Sequence, residues 1–123
     1  MITVLVIDAD PVVRLVARRV LEPAGFTPIA VADASAALAR LAVVRTDLVI
    51  CDVDALARDG SPAINAITDT DPSAQHLILF PKQGDTPGMV PYTENVLGKP
   101  FTPSELLTKV RRALVVPAPR MLR

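Results

Sequence analysis

The sequence predicts an α/β protein built on a doubly wound, five-stranded parallel sheet, a (βα)5 arrangement. Three observations point there. Strand-like and helix-like segments alternate five times over 123 residues, through short connections. The strand-like segments are short, unbroken apolar runs, as expected of strands covered by helices on both faces. Half of the residues are hydrophobic but only 3% are aromatic, so the core must be packed from Val, Leu, Ile and Ala.

The elements follow in order. Ile2 to Ile7 is a β-branched run that stops at Asp8, the pattern of a buried strand. Asp10 suits an N-cap and Pro11 the first helical position. Val12, Leu15, Val16, Arg19 and Val20 give a first helix whose apolar stripe recurs at three and four residues, and Pro23 and Gly25 end it. Thr27 to Val31 reads as a second strand and Ser35 to Val44 as an Ala-rich helix with Leu38 and Leu41 on one side. Leu48 to Cys51 is a third strand ending at Asp52, and a loop then runs to Asp59-Gly60. Pro62 to Thr68 reads as a helix closed by Asp71-Pro72. Leu77 to Phe80 is a fourth strand ending at Pro81, with His76 just before it in a turn or surface role. Gly84, Pro87, Gly88 and Pro91 allow only a shortened or irregular fourth helix. Asn95 to Gly98 is a brief fifth strand. Thr102 and Glu105 form a capping box for a last helix from Pro103 to Val115. The expected division is one domain over 1–116 and a short tail over 117–123.

Composition excludes several classes of function. Formal net charge is zero and the sequence pI is about 6.6, which argues against nucleic-acid binding by a basic face. Arg111, Arg112, Arg120 and Arg123 read as a solvated helix face and tail. The single cysteine, Cys51, lies in an apolar run and reads as a small buried hydrophobe. With no disulfide framework, no signal peptide and no run approaching a membrane span, the expected location is the cytoplasm.

In sheets of this kind the site lies beyond the carboxyl ends of the strands, where strand order reverses. Asp8 and Asp10, Asp52, Pro81 and Lys82, and Lys99-Pro100 all fall at that edge. Carboxylates and water are natural ligands of Mg²⁺. A lone carboxylate beside a cation and a lysine can act as an in-line nucleophile toward a phosphoryl group. Asp10 either joins Asp8 as a further metal ligand or caps the helix. Lys82 is either an extra cation near the pocket or a solvent-facing loop residue.

Four segments stand in register over nearly the whole chain: Val4-Leu5-Val6-Ile7-Asp8-Ala9-Asp10-Pro11, Asp47-Leu48-Val49-Ile50-Cys51-Asp52, Asp59-Gly60 and Gly98-Lys99-Pro100-Phe101. Together they resemble the landmarks of response-regulator receiver domains of two-component signalling. The resemblance implies the flavodoxin-like receiver fold and a role in phosphorelay signal transduction. It implies that Asp52 is the phosphoacceptor, Lys99 the phosphoryl-contacting lysine, and Asp8, Asp52 and the backbone carbonyl of Asp54 the ligands of a weakly held Mg²⁺. It also implies a cis Lys99-Pro100 bond and no enzymatic activity beyond phosphorylation and dephosphorylation at Asp52 itself. The implied partners are a histidine kinase or phosphotransfer protein and a downstream protein, with a homodimer through residues 83–101 as a further option.

The departures from the family pattern matter equally. Ala9 replaces the second acid after the first strand, Pro81 the hydroxyl residue after the fourth, Val96 the switch aromatic of the fifth, and Ala55-Leu56 a Met-Pro pair. The alternative function is therefore a pseudo-receiver, a protein-interaction module indifferent to phosphate, in which Asp52 pairs structurally with Lys99. A nucleotide or flavin binder is disfavoured, because no Gly-rich turn follows the first strand. The tail after Val115 is too short to bind DNA, so a stand-alone receiver or a piece of a larger regulator is expected.

Overall fold

The computed structural model describes residues 1–52, 75–81 and 96–115, with the backbone alone for 75–81 and Val115. The readings at Asp54, Ala55-Leu56, Asp59-Gly60, Pro62 to Thr68, Lys82, residues 83–93 and the tail lie outside the described residues.

Eight elements are described: β1 (Thr3–Ile7), α1 (Pro11–Leu21), β2 (Thr27–Val31), α2 (Ala34–Leu41), β3 (Leu48–Asp52), β4 (Gln75–Pro81), β5 (Val96–Lys99) and α3 (Pro103–Val115). The strands pair in parallel, in the order β2-β1-β3-β4-β5. His76 belongs to β4, in register with Val49, rather than to a turn before it.

Alternation along the central strands divides the core into two layers. Val4, Val6, Leu48 and Ile50 face Ala17 and Leu21 of α1 and Leu106, Val110 and Ala113 of α3. Leu5, Ile7, Val49 and Cys51 face Ala37 and Leu41 of α2. Helices thus cover both faces, which is why β1 and β3 carry uninterrupted apolar runs. Cys51 is buried, as its surroundings in the sequence imply.

Local chemistry sets the helix ends. Asp10 Oδ1 accepts the Val12 N–H at 2.9 Å, and Pro11 takes the first helical position of α1. Gly25, at φ 97°, supplies the left-handed turn into β2. Thr102 Oγ1 accepts the Glu105 N–H while Glu105 Oε1 accepts the Thr102 N–H, closing the capping box of α3. The helix α2 ends at Leu41, shorter than its Ala-rich run suggests, with Val43 fully outside the core.

The inward face of α1 keeps Val20 of the expected apolar stripe but turns Val12, Leu15 and Val16 outward. Ala17 and Leu21 are buried, and Val13 and Val20 pack against the same core. Val12, Leu15 and Val16 are 64%, 47% and 36% exposed. Two stripes at helical spacing coexist on α1, because apolar residues occupy most of its circumference. Periodicity alone could not say which would turn inward.

Candidate functional site

The strand β1 is registered with β3 through Ile7↔Cys51, so Asp8 and Asp52 come next, side by side at the carboxyl ends. The strand order reverses here, with β2 beyond β1 on one side and β4 beyond β3 on the other. Doubly wound sheets open their crevice at this point. Both acids are buried, at 2% and 3% exposure.

Lys99 approaches from the edge strand. The row through Asp52 continues to Leu79 and then Leu97, so Lys99 leaves the sheet two residues further out, on the face of Leu97. Only a long side chain spans the end of β4 from there. The Lys99 Nζ lies 2.9 Å from Asp8 Oδ2 and 2.7 Å from Asp52 Oδ1. The contact with Asp8 has hydrogen-bond geometry, and the shorter one with Asp52 is an ion pair. Burial pulls the Lys99 pKa down, the largest single influence. Short polar contacts with Asp52 and Asp8, together with their negative charges, outweigh it and leave the pKa raised. Lys99 therefore stays an ammonium across the neutral range.

The loop after β1 is organised by its own backbone. The other oxygen of Asp8, Oδ1, accepts the Asp10 N–H at 2.9 Å. The exposed Asp10 directs its carboxylate to the Val12 N–H, as a cap. Asp10→Ala should cost about 1 kcal/mol of stability, measurable by urea unfolding as a lower midpoint with an unchanged slope. Arg14, which the sequence reading did not single out, donates from Nη1 to the carbonyl oxygens of Asp8 at 2.8 Å and Ala9 at 3.0 Å. Its signal was a cation in the first turn of a helix whose side chains lean back toward the N-terminus. The Lys99-Pro100 bond is cis, in agreement with the resemblance. At the other altered positions, Val96 packs with the α2 layer and Pro81 is in register with Lys99.

The donor set can be tested against Mg²⁺. That ion takes one or two protein carboxylates and keeps much of its water, and Asp8 and Asp52 meet that requirement. Ala9 is exposed and brings no donor. Among the described residues, no three acids, histidines or cysteines form a metal-holding group. The residues suit a two-carboxylate, water-rich site.

A doubly wound parallel sheet with two buried carboxylates bridged by a lysine at its switch point defines a class of α/β protein with a charged crevice at the carboxyl ends of its strands. Comparison with known proteins narrows it. The sequence matches the response regulator receiver domain over residues 4–111, and the chain belongs to that family. It is 33% identical over 115 residues to the C4-dicarboxylate transport transcriptional regulatory protein DctD of Rhizobium meliloti (strain 1021), covering 90% of this chain and 25% of the relative. The chain thus spans about a quarter of the length of the curated relative it matches. Among solved structures it resembles chemotaxis protein CheY4 of Vibrio cholerae, with a TM-score of 0.79, 27% identity, and coverage of 93% and 99% of the two chains. It also resembles the signal receiver domain of an HD domain-containing protein from Pseudomonas fluorescens Pf-5, with a TM-score of 0.77, 28% identity, and coverage of 92% and 94%. The fold is the flavodoxin-like receiver fold. Receiver domains of two-component response regulators interact with histidine kinases or phosphotransfer proteins, typically bind Mg²⁺ at an acidic pocket, and are generally not enzymes. No helix among the described residues is long and apolar enough to cross a membrane.

Proposed function

We propose that this chain is a phosphorylatable receiver whose Asp52 accepts a phosphoryl group from a histidine kinase or phosphotransfer protein. The observation that supports the reading is the meeting of Asp52, Asp8 and the Lys99 ammonium within 2.9 Å contacts at the switch point. In the transfer, an Asp52 carboxylate oxygen bonds to phosphorus as the bond from phosphorus to the donor nitrogen breaks, and the leaving imidazole keeps the electron pair. Lys99 supplies positive charge to the phosphoryl oxygens, and Asp8 holds Lys99 at the rim. Asp8, Asp52 and the backbone carbonyl of Asp54 would hold Mg²⁺, which when bound supplies further neutralisation of phosphoryl charge.

In this reading residues 1–116 form the receiver unit, of the full (βα)5 pattern with an irregular fourth helix, and 117–123 a tail. It works in the cytoplasm and passes its state to a downstream protein.

A second reading is favoured by specific features. Ala9 leaves the pocket one carboxylate short, Pro81 has no hydroxyl, and Lys99 already neutralises much of the remaining charge. A pseudo-receiver would keep the ion pair as structure and bind its partner regardless of phosphate.

Adding Mg²⁺ with beryllofluoride or acetyl phosphate separates the two. The receiver reading expects a spectroscopic change in the wild-type chain that Asp52→Asn abolishes. No response at millimolar Mg²⁺ would leave the pseudo-receiver.

A further inference from the structure

One residue holds the whole loop that carries Asp8. The carbonyls of Asp8, Ala9 and Asp10 follow one another, and all three accept hydrogen bonds from Arg14. Its Nη1 donates to the first two, at 2.8 and 3.0 Å, and its backbone N–H to the third, at 3.1 Å. We propose that Arg14 is a positioning residue for the acidic pocket, fixing this loop so that the Asp8 carboxylate keeps the pose a divalent cation would use. The inference rests on the receiver reading in one respect, the placing of Mg²⁺ beside Asp8 and Asp52.

Both oxygens of the Asp8 carboxylate are engaged. Oδ1 accepts the Asp10 N–H and Oδ2 meets the Lys99 ammonium, each at 2.9 Å. Rotation of either peptide between Asp8 and Asp10 would swing that N–H away and leave a nearly inaccessible oxygen unsatisfied. Ala9 cannot resist such a rotation, because it is exposed and has no polar side chain to anchor. Asp10 commits its own carboxylate to the Val12 N–H. Among the described residues, Arg14 is the donor to the carbonyls of Asp8 and Ala9. It reaches them because a first-turn side chain leans back toward the helix N-terminus, and α1 is rooted in the core by Ala17 and Leu21. The guanidinium is also a cation, and its two effects on a metal have opposite signs. As a nearby like charge it weakens Mg²⁺ binding, so its removal would tighten binding. As a clamp on the loop it favours binding, so its removal loosens the site. Hydrogen-bonding partners that orient a metal ligand typically carry about ten- to a hundredfold in affinity. Arg14 acts on Asp8 through the main chain, which places it at the lower end.

Mg²⁺ titration of the full chain by calorimetry, with urea unfolding in parallel, tests the assignment. Arg14→Gln should weaken Mg²⁺ binding about tenfold. Arg14→Lys, whose ammonium can still donate to the loop carbonyls, should recover most of that loss. Arg14→Met takes the place of the glutamine variant if that chain does not fold. A lower unfolding midpoint with unchanged Mg²⁺ affinity would reduce Arg14 to a structural tie and overturn the inference. Tighter binding would overturn it too, by making the charge of Arg14 its dominant effect. A metal-free measurement separates the inference from the receiver reading. The Asp10 amide proton, bonded to the Asp8 carboxylate, should move upfield in NMR spectra of Arg14→Gln and return in Arg14→Lys. If the wild-type chain binds no Mg²⁺ at millimolar concentration and that amide still responds in this way, the metal site of the receiver reading falls and the positioning role stands. If Mg²⁺ binds and the amide stays in place in Arg14→Gln, the positioning role falls and the metal site stands.

Discussion

Lys99→Met should destabilise the protein by about 2–3 kcal/mol at neutral pH and low salt. Removing one partner from a buried ion pair costs about 3–5 kcal/mol, because the other charge is left uncompensated. Here two carboxylates are left, both nearly inaccessible, but the Lys99 side chain keeps 22% of its exposure, so screening by solvent brings the cost just below that range. Methionine retains the aliphatic bulk of the stem, which confines the change to charge. The loss has a pH signature. The Lys99 pKa is raised in the folded state, so its contribution is fully present below the ordinary lysine value near about 10.4 and fades as pH rises through the higher folded value. Urea unfolding of both chains should show a constant gap from neutral to mildly alkaline pH and a narrowing gap beyond. Millimolar Mg²⁺ should restore more stability to the variant than to the wild type, because the metal then replaces the missing ammonium. Equal midpoints at neutral pH would mean that the Lys99 bridge contributes nothing.

The double change Ala9→Asp with Pro81→Thr should raise Mg²⁺ affinity at least about tenfold, equivalent to about 1.4 kcal/mol. Ala9 follows Asp8 directly and is exposed, so an acid there adds charge at the rim without entering the core. A unit charge near another at contact distance is worth about 4 kcal/mol at an effective dielectric of 20, so tenfold is a modest demand on a divalent ion. Titration by calorimetry or intrinsic spectroscopy gives the affinity. The same variant should take up beryllofluoride at lower Mg²⁺. If affinity rises and uptake does not, missing charge is not what limits the site.

The three residues of the pocket were legible in the sequence because each follows an apolar run. Asp8, Asp52 and Lys99 stand at the ends of β1, β3 and β5, and parallel strands bring their carboxyl ends to one rim. Asp10 as cap and the Thr102–Glu105 box were legible for a related reason: capping is a local reaction of a side chain with its neighbouring backbone. The inward face of α1 was not legible. Val12, Leu15 and Val16 satisfy the helical period as well as Val13, Ala17 and Leu21 do, and tertiary packing made the choice. Arg14 was overlooked because its acceptors are main-chain carbonyls, which leave no mark in residue identity. His76 was placed outside β4 because a polar residue at a strand's start resembles the loop before it.

The strand β1 is buried completely along Val4 to Ile7, with neighbouring residues committed to opposite layers. Such a strand works as a ruler. Inserting or deleting one residue within it would either send the residues on one side of the change to the wrong layers or shift Asp8 along its track by one rise of about 3.3 Å, beyond the grasp of Lys99. The position of the acid is therefore guarded by hydrophobic side chains that never touch it, and length variation in this segment is closed to the protein even where its chemistry would tolerate change.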